Sequence, residues 1–388
     1  MPSLSLPTAD GTLETYATTV PRDFPAAADR PFNRVAYAAA HVVPDASVDN
    51  DPWLDTNVDW DRTIAFRRHL WDLGLGVAEA MDTAQRGMGL DWPTSLELIR
   101  RSVEASRDMP GAVIASGAGT DHLAPDPALS IDDVIRAYEE QCEAVEACGG
   151  RIILMASRAL AACARSADDY ATVYDRILGQ VTQPVIVHWL GEMFDPALEG
   201  YWGHADHYTA MDVCADTLRR NADKVDGIKI SLLDKDKEIK LRRTLPDGVR
   251  MYTGDDFNYA ELIAGDDEGY SDALLGIFDA IAPAASAALT ALAGNRPQEF
   301  YDIFEPTVPL SRHIFKAPTR FYKTGVVFMA YLNGHQDHFV MVGGQQSTRS
   351  IVHLAEIFRL ADKAGLLGDP DRAAARMSGV LKVHGVGV

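Results

Sequence analysis

Short apolar segments alternate with amphipathic segments along most of this chain of 388 residues. Seven apolar segments with the length of buried β-strands cover residues 34–43, 74–81, 111–119, 151–157, 184–190, 227–231 and 250–256. Segments of helical period lie between them at residues 59–74, 93–106, 130–149, 168–180 and 208–222. This alternation predicts an α/β fold in which helices cover both faces of a parallel sheet. An eighth strand is expected within residues 273–281, although that segment also has the pattern of a helix. Eight such units predict a closed (β/α)8 TIM barrel over residues 34–285.

The two ends of the chain depart from this pattern. Residues 1–33 begin with alternating apolar and polar residues around Asp10-Gly11, which is typical of a β-hairpin, and continue as a connector over residues 17–33. We expect the hairpin to close the bottom of the barrel. Residues 286–388 are mostly helical in pattern and predict a C-terminal helical extension that packs on the barrel.

Composition argues against some classes of partner. The formal net charge is −20 at pH 7, so the surface repels phosphate backbones and nucleic acid is not an expected partner. No apolar run is long enough to span a membrane, and the first residues lack the basic and apolar regions of a signal peptide. The four cysteines form no C-x-x-C pair and are interpreted as packing residues. We therefore expect a cytoplasmic protein with no membrane partner.

Polar side chains occur where the predicted strands end. In a (β/α)8 barrel the carboxyl ends of the strands form one mouth, and the active site lies there. The residues expected to bind a small-molecule substrate at this mouth are Glu79, Asp82, Ser157, Ser231 and Asp255. Their carboxylates and hydroxyls suit a polar ligand better than a hydrophobic one.

A lysine interrupts one of the apolar strands. The segment VDGIKISLLD places Lys229 between two isoleucines, where burying a charged ammonium is costly. A lysine that points into the barrel has a lowered pKa, and its neutral amine can attack a carbonyl carbon to form a Schiff base. The structural alternative is a lysine at the end of a strand that pairs with Asp226 or Asp234. His188, one strand earlier, is expected at the matching depth, where it could move protons.

Four segments together resemble a known family. GLGVAEAMDT, PVIVHWLG, VDGIKIS and YTGDD are similar to the strand-2 loop, the catalytic-tyrosine strand, the Schiff-base lysine strand and the Gly-Asp segment of the dihydrodipicolinate synthase / N-acetylneuraminate lyase superfamily. The resemblance covers residues 59–285, and its lysine strand followed by Gly-Asp-Asp is fairly specific. It implies a class I aldolase barrel with Lys229 as the Schiff-base residue, assembled as a dimer or tetramer. The length and the helical extension indicate a divergent branch of unknown function.

The chain departs from that family at several positions. His188 stands where the family has its proton-relay tyrosine, and Val77 and Ala78 replace the threonines of the second strand. Met193 stands where the synthases carry an arginine that binds a carboxylate, although Arg158 could supply a replacement cation. The resemblance therefore implies a carbon-carbon lyase that acts on a small keto acid or sugar-derived carbonyl compound, and not an authentic dihydrodipicolinate synthase. No cofactor or metal is predicted for this chemistry.

Two other functions remain open from the sequence. Glu79, His188 and Asp255 could instead bind a divalent metal in a sugar isomerase or metal aldolase, with help from His204 and His207 or from His335 and His338. These pairs lack the glutamate of H-E-x-x-H, so a zinc-protease signature is absent. The mouth could also bind a ligand without catalysis. Lys229 discriminates among these functions, because only the aldolase requires it to be inside the barrel and unpaired.

Overall fold

A computed structural model describes residues 1–25 and 31–387 and contains a closed barrel of eight parallel strands. The strands of the described residues are β1 (Ser3–Pro7), β2 (Leu13–Ala17), β3 (Ala36–Ala39), β4 (Gly76–Glu79), β5 (Ile114–Ala118), β6 (Arg151–Leu154), β7 (Val185–Leu190), β8 (Val225–Ser231), β9 (Arg250–Thr253) and β10 (Asp272–Leu275). Strands β3 to β10 follow one another around the barrel in chain order, and β10 pairs with β3 to close it. The predicted (β/α)8 barrel is confirmed.

Alternate residues of each strand face opposite sides, and this alternation organises the barrel core. One face of each strand packs against the surrounding helices with residues such as Val77, Val187 and Ile228. The other face fills the barrel interior with a separate apolar cluster made of Tyr37, Ala39, Ala78, Met81, Ala115, Ile153, Ile186, Tyr252 and Leu274. The interior is therefore a packed core. Polar side chains at inward-facing positions nearer the carboxyl ends of the strands lie between this core and the mouth.

Helices follow the strands and cover the outside of the barrel. They are α1 (Trp60–Asp72), α2 (Trp92–Arg107), α3 (Ile131–Ala147), α4 (Arg158–Cys163), α5 (Ala167–Gln180), α6 (His207–Arg220), α7 (Lys235–Arg242), α8 (Tyr259–Ala264), α9 (Ile277–Ala280) and α10 (Ala282–Ala293). The predicted capping pattern of the third helix is present, because Ser130 and Asp133 each accept a hydrogen bond from the other's backbone. The segment with both strand and helix character resolves into both, since β10 is followed directly by α9.

The remaining residues form the predicted helical C-terminal region. Its helices are α11 (Pro297–Phe304), α12 (Val308–Ile314), α13 (Tyr322–Asn333), α14 (Ile351–Lys363) and α15 (Pro370–Val383). The boundary expected at residue 285 falls inside α10. The first turn of α13 lies at the mouth of the barrel, where the Tyr322 hydroxyl contacts that of Thr83, just after β4, at 2.8 Å. The mouth is therefore built from the barrel and the C-terminal region together.

The N-terminal hairpin forms, but not where it was expected. Strands β1 and β2 pair antiparallel across the predicted turn. Tyr16 donates a hydrogen bond to Asp362 at 2.8 Å, and Glu14 pairs with Arg359, so the hairpin packs on α14. The expectation that it closes the bottom of the barrel is wrong, because the surface of the C-terminal region covers its inner face. Residues 26–30 of the predicted connector lie outside the described residues.

No helix in residues 1–25 and 31–387 combines the length and the apolar character that a membrane span requires.

Candidate active site

Lys229 lies inside the barrel, near the carboxyl end of β8. Its strand neighbours in register are His188 of β7 and Tyr252 of β9, and the side chain is only 8% exposed. Within the part of the chain that the structure describes, the amine makes no ion pair and no hydrogen bond. Asp226 instead accepts a hydrogen bond from Tyr252, and Asp234 caps α7, so the alternative pairing of the lysine with either residue is wrong.

Gly254 makes the space that the lysine side chain occupies. A Cβ atom at this position would lie 2.9 Å from Cε of Lys229 and 2.6 Å from the carbonyl oxygen of Ile230. It would also collide with Oγ of Ser231. A side chain here would have to displace backbone as well as the lysine, so the glycine that follows β9 is required for the present position of Lys229.

Two carboxylates oppose the effect of burial on this amine. Burial lowers the pKa of Lys229 below its usual value of 10.5, while the negative charges of Asp256 and Asp82 raise it. Asp256 is itself buried, and burial raises the pKa of its carboxyl to about 7, although Oδ1 accepts a hydrogen bond from the Ile277 N–H at 2.9 Å. Lys229 and Asp256 are thus a buried amine and a buried carboxyl, and each influences the protonation of the other.

His188 is a second interior group beside the amine. Its ring is fully buried, and Nε2 lies 3.3 Å from Oγ of Ser231, while Nδ1 has no partner among the described residues. Burial, and then the charge of Lys229, hold the pKa of His188 well below 6.5. The imidazole is therefore neutral at physiological pH and can accept a proton from a group bound next to Lys229.

A cavity opens from His188 toward solvent. Its polar lining includes Asp82, Arg86, Thr120, Asp121, Arg158, His188 and Asp195. Arg158 pairs with Asp195, and Arg86 pairs with Asp121 at 2.6 Å, so these guanidinium groups are neutralised in place. The side chain of Asp82 makes no hydrogen bond to another described residue, and it is the carboxylate of this cavity whose charge raises the pKa of Lys229. The structure thus brings Lys229, His188, Asp82 and Ser231 together.

Three of the predicted substrate-binding residues are engaged in contacts of their own. Glu79 is fully buried on the outer face of β4 and forms two hydrogen bonds with Arg67 of α1, at 2.8 and 2.9 Å. Ser157 caps α4 and contacts the hydroxyl of Thr120 at 2.6 Å. Asp255 accepts hydrogen bonds from the backbone of Phe257 and from Asn258. None of these three side chains lies against Lys229.

Strand alternation explains which member of the Asp255-Asp256 pair reaches the lysine. Tyr252 faces the interior and a Cβ atom at Gly254 would meet Lys229, so the same alternation, extended two residues beyond the end of β9, selects Asp256 and not Asp255. The periodicity that places Lys229 inside the barrel therefore also predicts that Asp256 is the aspartate next to the lysine. This periodicity can be seen in the sequence alone. It also places Glu79 outside, because its neighbour Ala78 belongs to the interior cluster.

The C-terminal region adds two residues that the sequence analysis did not consider. Tyr322 is buried, and its ring stacks on Phe315 with centroids 4.3 Å apart. Lys323 is 4% exposed and donates a hydrogen bond to the carbonyl oxygen of Arg320 at 3.1 Å. Burial lowers the pKa of Lys323 to about 8. The available signal was a lysine in the apolar segment FYKTGVVFMAY, the same kind of signal that identified Lys229.

The residues proposed for a metal site lie apart in the structure. His207 contacts Glu192 at 3.2 Å, His335 packs on Phe66, and His338 accepts a hydrogen bond from Val340. Over residues 1–25 and 31–387, no group of three or more His, Cys, Asp or Glu side chains is arranged to hold a metal ion.

Comparison with known families and structures places this geometry in context. The sequence model of a family described as "Protein of unknown function (DUF993)" matches residues 4–386. A comparison with curated proteins gives no match.

Three similar solved structures are named as dihydrodipicolinate synthases or as a member of that family. The 4-hydroxy-tetrahydrodipicolinate synthase of Methylacidiphilum fumariolicum SolV has a TM-score of 0.64 at 14% identity, over 89% of this chain and 98% of that chain. A prophage protein of the dihydrodipicolinic acid synthase family from E. coli K12, solved with pyruvate, has a TM-score of 0.64 at 12% identity, over 91% and 99%. The dihydrodipicolinate synthase of Aquifex aeolicus has a TM-score of 0.60 at 11% identity, over 92% and 99%. The predicted resemblance is confirmed at the level of the fold.

Proposed function

The chain belongs to the DUF993 family, and we propose that it is a class I aldolase or lyase in which Lys229 forms a Schiff base. The observation that carries the proposal is the position of Lys229. It is a buried amine without an ion pair, at the mouth of an aldolase-type barrel, in a space that Gly254 keeps open. A buried lysine that contributes only to stability would be expected to have an anionic partner, because an unpaired buried charge is costly.

The proposed reaction begins with the neutral amine. Its nitrogen attacks the carbonyl carbon of the substrate, the carbonyl oxygen takes up a proton, and loss of water leaves an iminium. The bond between the carbon next to the iminium carbon and the hydroxyl-bearing carbon beyond it then breaks, and its electron pair moves into the iminium to give an enamine. The other fragment leaves as an aldehyde or ketone after its hydroxyl loses a proton. Protonation and hydrolysis of the enamine product restore the free amine.

Residues around Lys229 suit the proton transfers of this scheme. Asp256, with a pKa of about 7, can take the proton that the lysine must lose before it attacks. The neutral imidazole of His188 can take the proton from the substrate hydroxyl during C–C cleavage. Ser231 contacts that imidazole and can hold it in place.

The proposed substrate is a small, polar carbonyl compound, either a keto acid or a sugar derivative. Asp82, His188 and Thr120 line the cavity with groups that bind hydroxyls. Val77, Ala78 and Met193 argue against the substrates of an authentic dihydrodipicolinate synthase, since they carry neither hydroxyl nor charge. The resemblance further implies a homodimer or homotetramer, and light scattering at micromolar concentration tests that part of the proposal.

Borohydride trapping tests the Schiff base directly. The protein is incubated with pyruvate, other 2-keto acids and keto-sugars, reduced, digested and mapped by mass spectrometry. We expect at least one compound to label Lys229, and the Lys229→Ala variant to lose that label. The exposed Lys382→Ala variant is the matched control and should label as the wild type does. Failure of every compound to label Lys229, together with catalysis that survives Lys229→Ala, would rule the proposal out.

A further inference from the structure

Lys323 is a second buried amine that lacks a carboxylate partner. Its hydrogen bond to the Arg320 carbonyl satisfies one of three donors, and no ion pair to it forms in the described part of the chain. The guanidinium groups of the same region differ, because Arg158 and Arg86 each pair with an aspartate. A lysine that is 4% exposed and unpaired is costly for stability, so its presence needs another reason.

The position of Lys323 relates it to the cavity at the mouth. The hydrogen bond between Tyr322 and Thr83 fixes the first turn of α13 beside the loop after β4, which also carries Asp82. The charges that act on Lys323 include those of Asp82, Arg158 and Asp195, and these three residues line the cavity. Asp82 also acts on Lys229. Nζ of Lys323 lies 4.7 Å from the centroid of the Tyr322 ring, whose hydroxyl contacts Thr83 beside Asp82. The two amines are therefore both under the influence of one carboxylate of the cavity, Asp82.

We propose that Lys323 binds an anionic group of the substrate, so that the substrate carries a carboxylate or a phosphate in addition to the carbonyl that Lys229 attacks. This inference rests on the proposed function. The amine retains two free donors, and an entering anion would supply the charge partner that the protein does not.

Matched pairs of aldehydes test the proposal. Succinic semialdehyde and butanal differ by a carboxylate, and glyceraldehyde 3-phosphate and glyceraldehyde differ by a phosphate. Each is trapped on the protein with borohydride over a range of concentrations, and labelling of Lys229 is measured by peptide mapping. The readout is the ratio of labelling between the anionic and the neutral member of each pair. The pair that shows the larger ratio identifies the anionic group.

We expect the wild type to label with the anionic member of one pair about tenfold or more better than with the neutral member. This ratio corresponds to the free energy of one charge-assisted hydrogen bond. Lys323→Met, which keeps the length of the side chain and removes the charge, should abolish most of this preference. Lys323→Arg should retain it. Lys382→Met removes one exposed positive charge of α15 and should leave the ratio unchanged. A far-UV circular dichroism melt establishes that each variant is folded.

Two outcomes would overturn the inference, and they are distinguishable. If Lys229 is labelled but neither pair shows a preference, or Lys323→Met retains it, Lys323 does not bind an anion and the Schiff-base proposal stands. If no carbonyl compound labels Lys229 in the wild type, the proposed function fails and this inference fails with it.

Discussion

His188 and Lys229 are direct partners in the register of two neighbouring parallel strands, and both side chains point into the barrel above its apolar core. Burial, and then the charge of Lys229, lower the pKa of His188, while burial lowers the pKa of Lys229 against the charges of Asp256 and Asp82. Both shifts favour the neutral forms that the proposed reaction needs, because a neutral amine is a nucleophile and a neutral imidazole is a base.

Replacement of Lys229 separates catalysis from folding. Lys229→Ala should abolish turnover and borohydride labelling, because no other residue supplies the nitrogen of the proposed imine. The variant should remain folded, since the lysine makes no ion pair whose partner would be left buried and unsatisfied. Thermal unfolding by circular dichroism, measured beside the labelling assay, checks both statements. Retained turnover in this variant would contradict the proposed chemistry.

Replacement of His188 should affect proton transfer and spare imine formation. We expect His188→Phe to lower turnover by roughly 10²–10⁴-fold, which is the usual contribution of a general acid or base. The imine should still be trapped at Lys229, because the amine is not altered. Labelling and turnover measured on one preparation test this separation. Loss of both together would mean that the imidazole positions Lys229 and does not act as a base.

The fold and Lys229 could be predicted from the sequence, but the contribution of Tyr322 and Lys323 to the mouth could not. The alternation of apolar strands and helices predicted the barrel. The occurrence of a single lysine in the apolar segment VDGIKIS indicated Lys229 as a candidate site residue. Strand periodicity, applied to YTGDD, would also have selected Asp256 over Asp255. Tyr322 and Lys323 lie far along the chain from β4 and β8, and no local pattern reveals that the first turn of α13 docks on the mouth. Contacts of this kind depend on tertiary packing, which a single sequence does not encode in any local period.

The pH dependence of labelling tests the contact between Asp256 and Lys229. The carboxylate raises the pKa of Lys229, so Asp256→Asn removes a group that favours the charged, unreactive amine. The pKa of the amine should fall further, and the pH at which labelling is half-maximal should shift to a lower value. Labelling with cyanoborohydride from pH 5 to pH 9 measures this shift. An unchanged or higher midpoint would show that Asp256 does not interact with the amine.

Glu238 provides a prediction about stability that is independent of catalysis. This residue of α7 is 1% exposed and accepts hydrogen bonds from Ser271 and Thr253 at 2.7 and 2.9 Å. Burial raises its pKa from 4.5 to about 8. A folded-state pKa above the unfolded value means that the stabilising contribution is fully present below pH 4.5 and is lost as the pH rises through 8.

The isosteric variant Glu238→Gln cannot lose this contribution. The free energy of unfolding of the wild type should therefore fall relative to that of the variant between pH 4.5 and pH 8, by several kcal/mol in total. Urea unfolding at a series of pH values measures the difference. Parallel curves for the two proteins would show that the carboxyl is not protonated in the folded state.

The contact between Tyr322 and Thr83 should hold the C-terminal region over the mouth. The two hydroxyls lie 2.8 Å apart and both side chains are buried, so removal of either hydroxyl leaves the other without a partner. Tyr322→Phe and Thr83→Val should each lower the free energy of unfolding by about 1–3 kcal/mol, the cost of a buried unsatisfied polar group. The double variant should lose clearly less than the sum, because it buries no unpaired hydroxyl. Chemical denaturation of the four proteins completes the cycle. Additive losses would mean that the hydroxyls do not interact, and that other contacts of α13 hold Lys323 at the mouth.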